Sequence, residues 1–371
     1  MGRGLIAIGA FVAFMVVTLV AQRVGQGDGP QRQPVLRHLV GVQLHPLFDG
    51  QTEASVSREL DVTKKSGSNA VRIDIAWSSL EIAGPGKINR DYAARMDAAV
   101  DGARARGLHV IITLLWSPCW ASSAPESLKQ GCRGRWWERG VMAYPPKDPG
   151  RYGAIAGYVA DRWGNRADAL EIWNEPNARN FLTGPDPARD YARMLRAAYP
   201  RVKKEQSDLQ VLAGSLALAD GDFLQAMFER GKIAGSYDGI AWHPYTDRKS
   251  PRARDYGPKP YYSFRDGAAW MRRILQAHGD RKAELWATEV GASTCTVGVH
   301  PRCVTPLVQA KWISDYVELG RRMPWLRSLI VYNLRDQGTN PADVEEGYGL
   351  VRRDFSRKPS FDAFRRAATA R

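Results

Sequence analysis

The sequence predicts an α/β fold: a single (β/α)8 barrel preceded by an N-terminal hydrophobic segment. Three observations carry this. Short apolar runs rich in β-branched residues recur eight times after residue 38. Amphipathic stretches of helical period separate them. The first run leads into Gln43-Leu44-His45-Pro46. A doubly wound open sheet, the alternative, would carry a glycine fingerprint there.

The predicted strands are 39–44, 70–75, 109–115, 169–172, 211–215, 239–243, 284–289 and 329–334. Runs such as LVGVQL and HVIITLL lack a polar side, as expected of strands buried on both faces. Helical period predicts helices over 91–106, 151–163, 188–204, 263–278 and 307–322, with a last one near 361–370. Eight such units over about 330 residues suit a closed barrel with insertions. The stretch 117–148 reads as an elaborated loop after the third strand. It carries Trp120, Trp136 and Trp137, the last two serving either as loop packing or as an outer sugar subsite.

The domain plan has three parts. Arg3 followed by the apolar run 5–21 reads as a signal peptide or a membrane anchor over residues 1–23, with residues 4–22 as the possible tether. Residues 24–37, rich in Gly and Gln, read as a linker. Residues 38–371 form the folded domain. Either reading of the first segment makes the protein extracytoplasmic, secreted or membrane-anchored.

Four cysteines fit that compartment. Cys119 with Cys132, and Cys295 with Cys303, are spaced as two loop-closing disulfides. Free thiols and a zinc site are the alternatives. No CxxC or HxxxH spacing favours zinc, and no metal is expected. The formal charge of +14 allows anionic partners. The basic residues are scattered, so a solvated Arg-rich surface or a polyanionic substrate or envelope explains them. No nucleic-acid motif is present.

In such a barrel the chemistry stands at the C-terminal strand ends. There the sequence puts His45, Arg72, Asp74, Trp77, Trp116, Asn174, Glu175, His243, Tyr245, Glu289, Tyr332 and Asp336. Two acids, Glu175 and Glu289, are surrounded by aromatic rings and hydrogen-bonding groups. Sugars offer CH faces for Trp and Tyr, and hydroxyls for Asn, Arg, His and Asp. Cleaving a glycosidic bond needs one protonated carboxyl and one ionised one.

The run EIWNEPN at 171–177 resembles the acid/base motif of the clan of retaining barrel glycosidases that carry their two acids on strands 4 and 7 (clan A). LWATEVG at 285–291 resembles that clan's nucleophile strand. AVRI at 70–73 and AWHPY at 241–245 resemble its strands 2 and 6, so the likeness covers nearly the whole chain after residue 38. The chain looks most like glycoside hydrolase family 39, whose members include β-xylosidases and exopolysaccharide endoglycosidases. Family 5 cellulases are the near rival. The resemblance implies that Glu175 is the acid/base, Glu289 the nucleophile, and Asn174 a partner of the sugar 2-hydroxyl. It implies that Arg72 and Tyr245 hold Glu289 ionised and that His243 lines the same wall. His45, Trp116 and Tyr332 are candidate sugar contacts. Many clan members put Trp on strand 8 where this chain has Tyr332. Glu171, before the strand end, reads as structural.

The implied partner is an oligo- or polysaccharide, an anionic exopolysaccharide among the candidates, with endo action on an envelope polysaccharide or exopolysaccharide as the favoured case. No cofactor is implied. A transglycosylase on the same intermediate and a non-catalytic carbohydrate-binding barrel are the competing functions.

Overall fold

The computed structural model describes residues 38–48 and 50–370. The expected leader or anchor and the linker lie outside the described residues. Eight parallel strands close in chain order: β1 (Leu39–Leu44), β2 (Ala70–Ala76), β3 (His109–Leu115), β4 (Ala169–Ile172), β5 (Gln210–Ala217), β6 (Gly239–His243), β7 (Glu284–Val290) and β8 (Leu326–Val331). β1 closes the barrel, with Gly41 opposite Ala70 of β2 and Val42 opposite Val331 of β8. A Cβ on Gly41 would stand 2.1 Å from the Ala70 carbonyl oxygen, so only glycine permits this approach.

A helix follows each strand: α1 (Glu53–Lys65), α2 (Arg90–Ala105), α3 (Pro149–Trp163), α4 (Pro187–Glu205), α5 (Gly221–Glu229), α6 (Phe264–Ala277), α7 (Pro306–Arg321) and α8 (Pro359–Thr369). Asp148, Asp186, Asp220, Ser263 and Thr305 each accept a backbone N–H of the following first turn. Pro149, Pro187, Pro306 and Pro359 stand in the first turn, where no N–H is needed. These prolines start the helices slightly before the apolar period does.

Three departures from the expected elements have physical reasons. α1 was not foreseen because it buries a narrow face, with Glu59, Leu60 and Thr63 fully covered. α5 is only 9 residues, too short for a helical period to stand out. β8 begins earlier than expected, with Leu326 already opposite Leu285 of β7. Arg327 and Ser328 interrupt its apolar run and hide the start.

Strand alternation layers the interior. Leu39, Ala70, Ile111, Ala169, Leu212, Ala241, Trp286 and Ile330, one from each strand, form a separate buried apolar cluster. Two residues further along, the same side of β2, β3, β4, β6 and β7 presents Arg72, Thr113, Glu171, His243 and Thr288. An apolar plug therefore supports a polar layer, and the strand ends open above it.

The 117–148 loop has its own small core of Cys119, Ala124, Trp136 and Val141. Cys119–Cys132 and Cys295–Cys303 are both bonded, as the spacing suggested. Trp136 is buried, which is the packing reading; Trp137 is exposed. Among the described residues no helix is long and apolar enough to cross a membrane.

Candidate active site

The polar layer is organised by one guanidinium. Arg72 is 1% exposed and spends its nitrogens on four partners. Its Nε donates to Glu171 Oε2 at 2.7 Å, Nη1 to Gln43 Oε1 at 2.9 Å and to Glu289 Oε1 at 2.8 Å, and Nη2 to Asn174 Oδ1 at 2.9 Å. Glu171 also accepts from Thr113 Oγ1 and Thr288 Oγ1, both at 2.6 Å. Burial works against the Glu171 charge, but Arg72, His243 and the two threonines outweigh it and hold its carboxyl below the usual value. Glu171 thus fixes Arg72, in keeping with its structural reading.

Glu289 reaches the interior by an irregularity. Thr288 faces inward to Glu171, so simple alternation would send Glu289 out. A register shift against β8 between Ala287 and Val290 turns both inward. Glu289 Oε1 then accepts from Arg72, and Oε2 accepts from the Tyr245 hydroxyl at 2.9 Å. His243 Nδ1 lies 3.5 Å from Oε2. Burial pushes the Glu289 carboxyl up, as do the Glu175 and Asp74 charges, while His243 and Arg72 pull it back; the balance is upward. Burial and the Glu289 charge push Tyr245 well up, so its hydroxyl stays a donor.

Glu175 stands just beyond β4. The backbone there is left-handed at Trp173 (φ 68) and at Glu175 itself (φ 43). Trp116 after β3 (φ 65) and Ser215 at the bulge in β5 (φ 54) share that region. Such non-glycine residues cost of order 1–3 kcal/mol each and cluster where side chains must be aimed. The Glu175 N–H donates to the Ser215 carbonyl at 2.9 Å. Its Oε1 meets His243 Nδ1 at 2.8 Å, and His243 Nε2 meets Ser215 Oγ at 3.1 Å. Burial disfavours a charged His243, but Glu289 and Glu175 outweigh this and raise its pKa.

A carboxylate oxygen of Glu175, one of Glu289 and a ring nitrogen of His243 all lie within 4.8 Å of one another. That set could hold a metal ion by its donors. His243 already engages Glu175 and Arg72 already engages Glu289, so a cation would compete with these contacts.

These groups open into a cavity of about 1020 Å³. Of the residues singled out in the sequence, His45, Asp74, Trp116, Asn174, Glu175, Tyr245, Glu289 and Tyr332 line it, while Arg72 and His243 stand behind it and Trp77 is buried outside it. His45 stacks on Phe48 at 4.3 Å and meets Tyr332 edge-on at 5.6 Å. Trp116 lies parallel to Phe181, with centroids 6.4 Å apart. Asp336 is not in the site; it takes Lys358 Nζ at 2.6 Å. Sequence reasoning missed Phe181, Arg302, Glu345 and Tyr348, which also line the cavity. Phe181 was open to discovery as an aromatic six positions after Glu175. The others sit on loops after β7 and β8, where no period marks them.

The family profile for "Cellulase (glycosyl hydrolase family 5)" matches residues 31–305, most of the chain. The chain belongs to that family. Family 5 was the near rival in the sequence reading. Solved structures of both families share this fold. A family 39 glycoside hydrolase of Bacteroides cellulosilyticus WH2 is 24% identical with a TM-score of 0.67, over 89% of this chain and 63% of that one. The family 5 chain therefore spans somewhat less than two thirds of that relative's length. A GH5_18 protein of Streptomyces cattleya, solved with GlcNAc, is 17% identical with a TM-score of 0.64, over 91% of this chain and 80% of that one. The family 39 enzyme of Xanthomonas axonopodis pv. citri is 15% identical with a TM-score of 0.62, over 91% of this chain and 67% of that one. No curated protein matches the chain.

Proposed function

We propose that the protein is a retaining glycoside hydrolase that cleaves O-glycosidic bonds of an oligo- or polysaccharide by double displacement. The observation that carries this is the approach of the Glu175 and Glu289 carboxylates, within 4.8 Å by their nearer oxygens. Retaining enzymes hold their two carboxyls about 5–5.5 Å apart, whereas inverting ones leave about 6.5–9.5 Å for a water.

In the first step a Glu289 oxygen attacks the anomeric carbon. The bond from that carbon to the leaving oxygen breaks, and Glu175 gives that oxygen its proton. In the second step Glu175 takes a proton from water, the water oxygen bonds to the same carbon, and the Glu289 ester is released. Arg72 and Tyr245 hold Glu289 as the ionised nucleophile, one on each oxygen. His243 orients Glu175. Asn174 has committed its carbonyl oxygen to Arg72, which leaves its amide nitrogen for a sugar hydroxyl.

The cavity volume is at the upper end of the usual range for small-ligand pockets, about 300–1,000 Å³, so it admits more than one sugar ring. Its lining carries Asp74, Glu175, Glu289 and Glu345 against Arg302, which favours a neutral sugar over an anionic one at the point of cleavage. Two disulfides suit an extracytoplasmic enzyme.

The test is a pair of variants on two substrates. Glu289→Gln should abolish turnover of both a polysaccharide and an activated aryl glycoside. Glu175→Ala should slow the polysaccharide by about 10²–10⁴-fold and the aryl glycoside far less, because that leaving group needs little protonation. Near-normal activity in Glu289→Gln would sink the assignment.

A further inference from the structure

The loop that Cys295–Cys303 closes follows β7, the strand that carries Glu289. Arg302 precedes Cys303. The loop folds back on Ser293, whose N–H donates to the Arg302 carbonyl at 2.9 Å, while the Val304 N–H donates to Ser293 at 2.8 Å. This sends the Arg302 side chain toward the cavity. Its guanidinium carbon lies 4.1 Å from the centre of the Tyr245 ring. Its Nε donates to Asp247 Oδ1 at 3.0 Å, and Asp247 adopts a left-handed backbone (φ 49). The Tyr245 hydroxyl is the donor to Glu289 Oε2.

We propose that Arg302 is a positioning residue for Glu289, acting through the Tyr245 ring, and that the Cys295–Cys303 bridge holds it there. The proposal rests on the reading of Glu289 as nucleophile. A cation over a phenol face is attracted to it and draws electron density from the hydroxyl. The hydroxyl becomes a stronger donor, and a stronger donor favours the ionised carboxylate. Arg302 also fixes the ring, and so the direction of that hydrogen bond.

Glu289 faces Arg72 and Asp74 from β2, Glu175 beyond β4, His243 and Tyr245 on and after β6, and Tyr332, Glu345 and Tyr348 after β8. Arg302 faces Tyr245, Asp247, Tyr348, Glu345 and Tyr316. None of these other groups is altered in R302M, and the Y245F background separates a shift that passes through the Tyr245 ring from one that reaches Glu289 directly.

The experiment compares R302M, R302K, Y245F, R302M/Y245F and C295S/C303S with the wild-type chain on an activated aryl glycoside. R302M should lower kcat about tenfold, or roughly 1.4 kcal/mol at the barrier, with KM little changed. The acid limb of its kcat/KM profile should move up by roughly half a pH unit. R302K should recover most of that limb. C295S/C303S should shift it in the same direction as R302M while its circular dichroism stays that of the wild type. Adding R302M to Y245F should move the limb no further, because the relay is already cut. Should R302M fail to fold, R302Q replaces it with the same expected shift. An unmoved acid limb, or a full shift that persists in the Y245F background, overturns the proposal. If Glu289→Gln is inactive and R302M is silent, only the proposal fails. If Glu289→Gln is active, the reading of the nucleophile fails first.

Discussion

The ends of β4 and β7 each present a glutamate to one cavity, and they hold it differently. Glu289 has a donor on each oxygen, Arg72 and Tyr245, and is buried. Glu175 has His243 on one oxygen only and is half-buried, on left-handed backbone. The first setting suits a group that must stay ionised. The second suits one that must release and regain a proton at an open oxygen. Two identical side chains thus acquire distinct proposed roles from their neighbours.

The largest break in that comparison is Glu289→Gln, for which kcat should fall on the order of 10⁴-fold or more while the fold is kept. Glu175→Ala comes next. Its loss should depend on the leaving group, large for a polysaccharide and small for an activated aryl glycoside. An equal loss on both substrates would remove Glu175 from the acid role.

Arg72→Met strips the charge partner from two buried carboxylates, Glu171 and Glu289. Breaking such a pair costs about 3–5 kcal/mol. The melting temperature should drop well beyond that of any variant at the cavity rim, and unchanged melting would contradict the network. Tyr245→Phe removes one hydrogen bond to a charged group, worth about 1.5–3 kcal/mol, so kcat/KM should fall roughly 10–100-fold.

The smallest effect is in the wild type itself. As the proposed nucleophile Glu289 must be ionised to attack, and burial raises its pKa. Activity should therefore fall on acidification at a pH above the ordinary glutamate value, as a kcat/KM profile on an uncharged substrate will read. A limb below that value would mean that Arg72 and His243 win over burial.

The fold was legible because most residues of the strands are covered on both faces, so that most strands read as short, largely apolar runs. The two glutamates were legible from their neighbours, WNEPN and WATEV. What escaped lacks a period. α1 buries too narrow a stripe, and Arg327 masks the start of β8. The bulge that turns Glu289 inward leaves no mark in the sequence, since alternation from Trp286 points Glu289 outward. Arg302, Glu345 and Tyr348 reach the cavity from loops, where only the closed chain decides what meets.

The most direct test of the central claim is the configuration of the first product. If Glu175 and Glu289 flank one sugar closely enough for Glu289 to bond to it, proton NMR of the earliest turnover will find the released anomeric centre in the configuration of the substrate. An inverted first product would show that water, not Glu289, attacks, and would contradict the account.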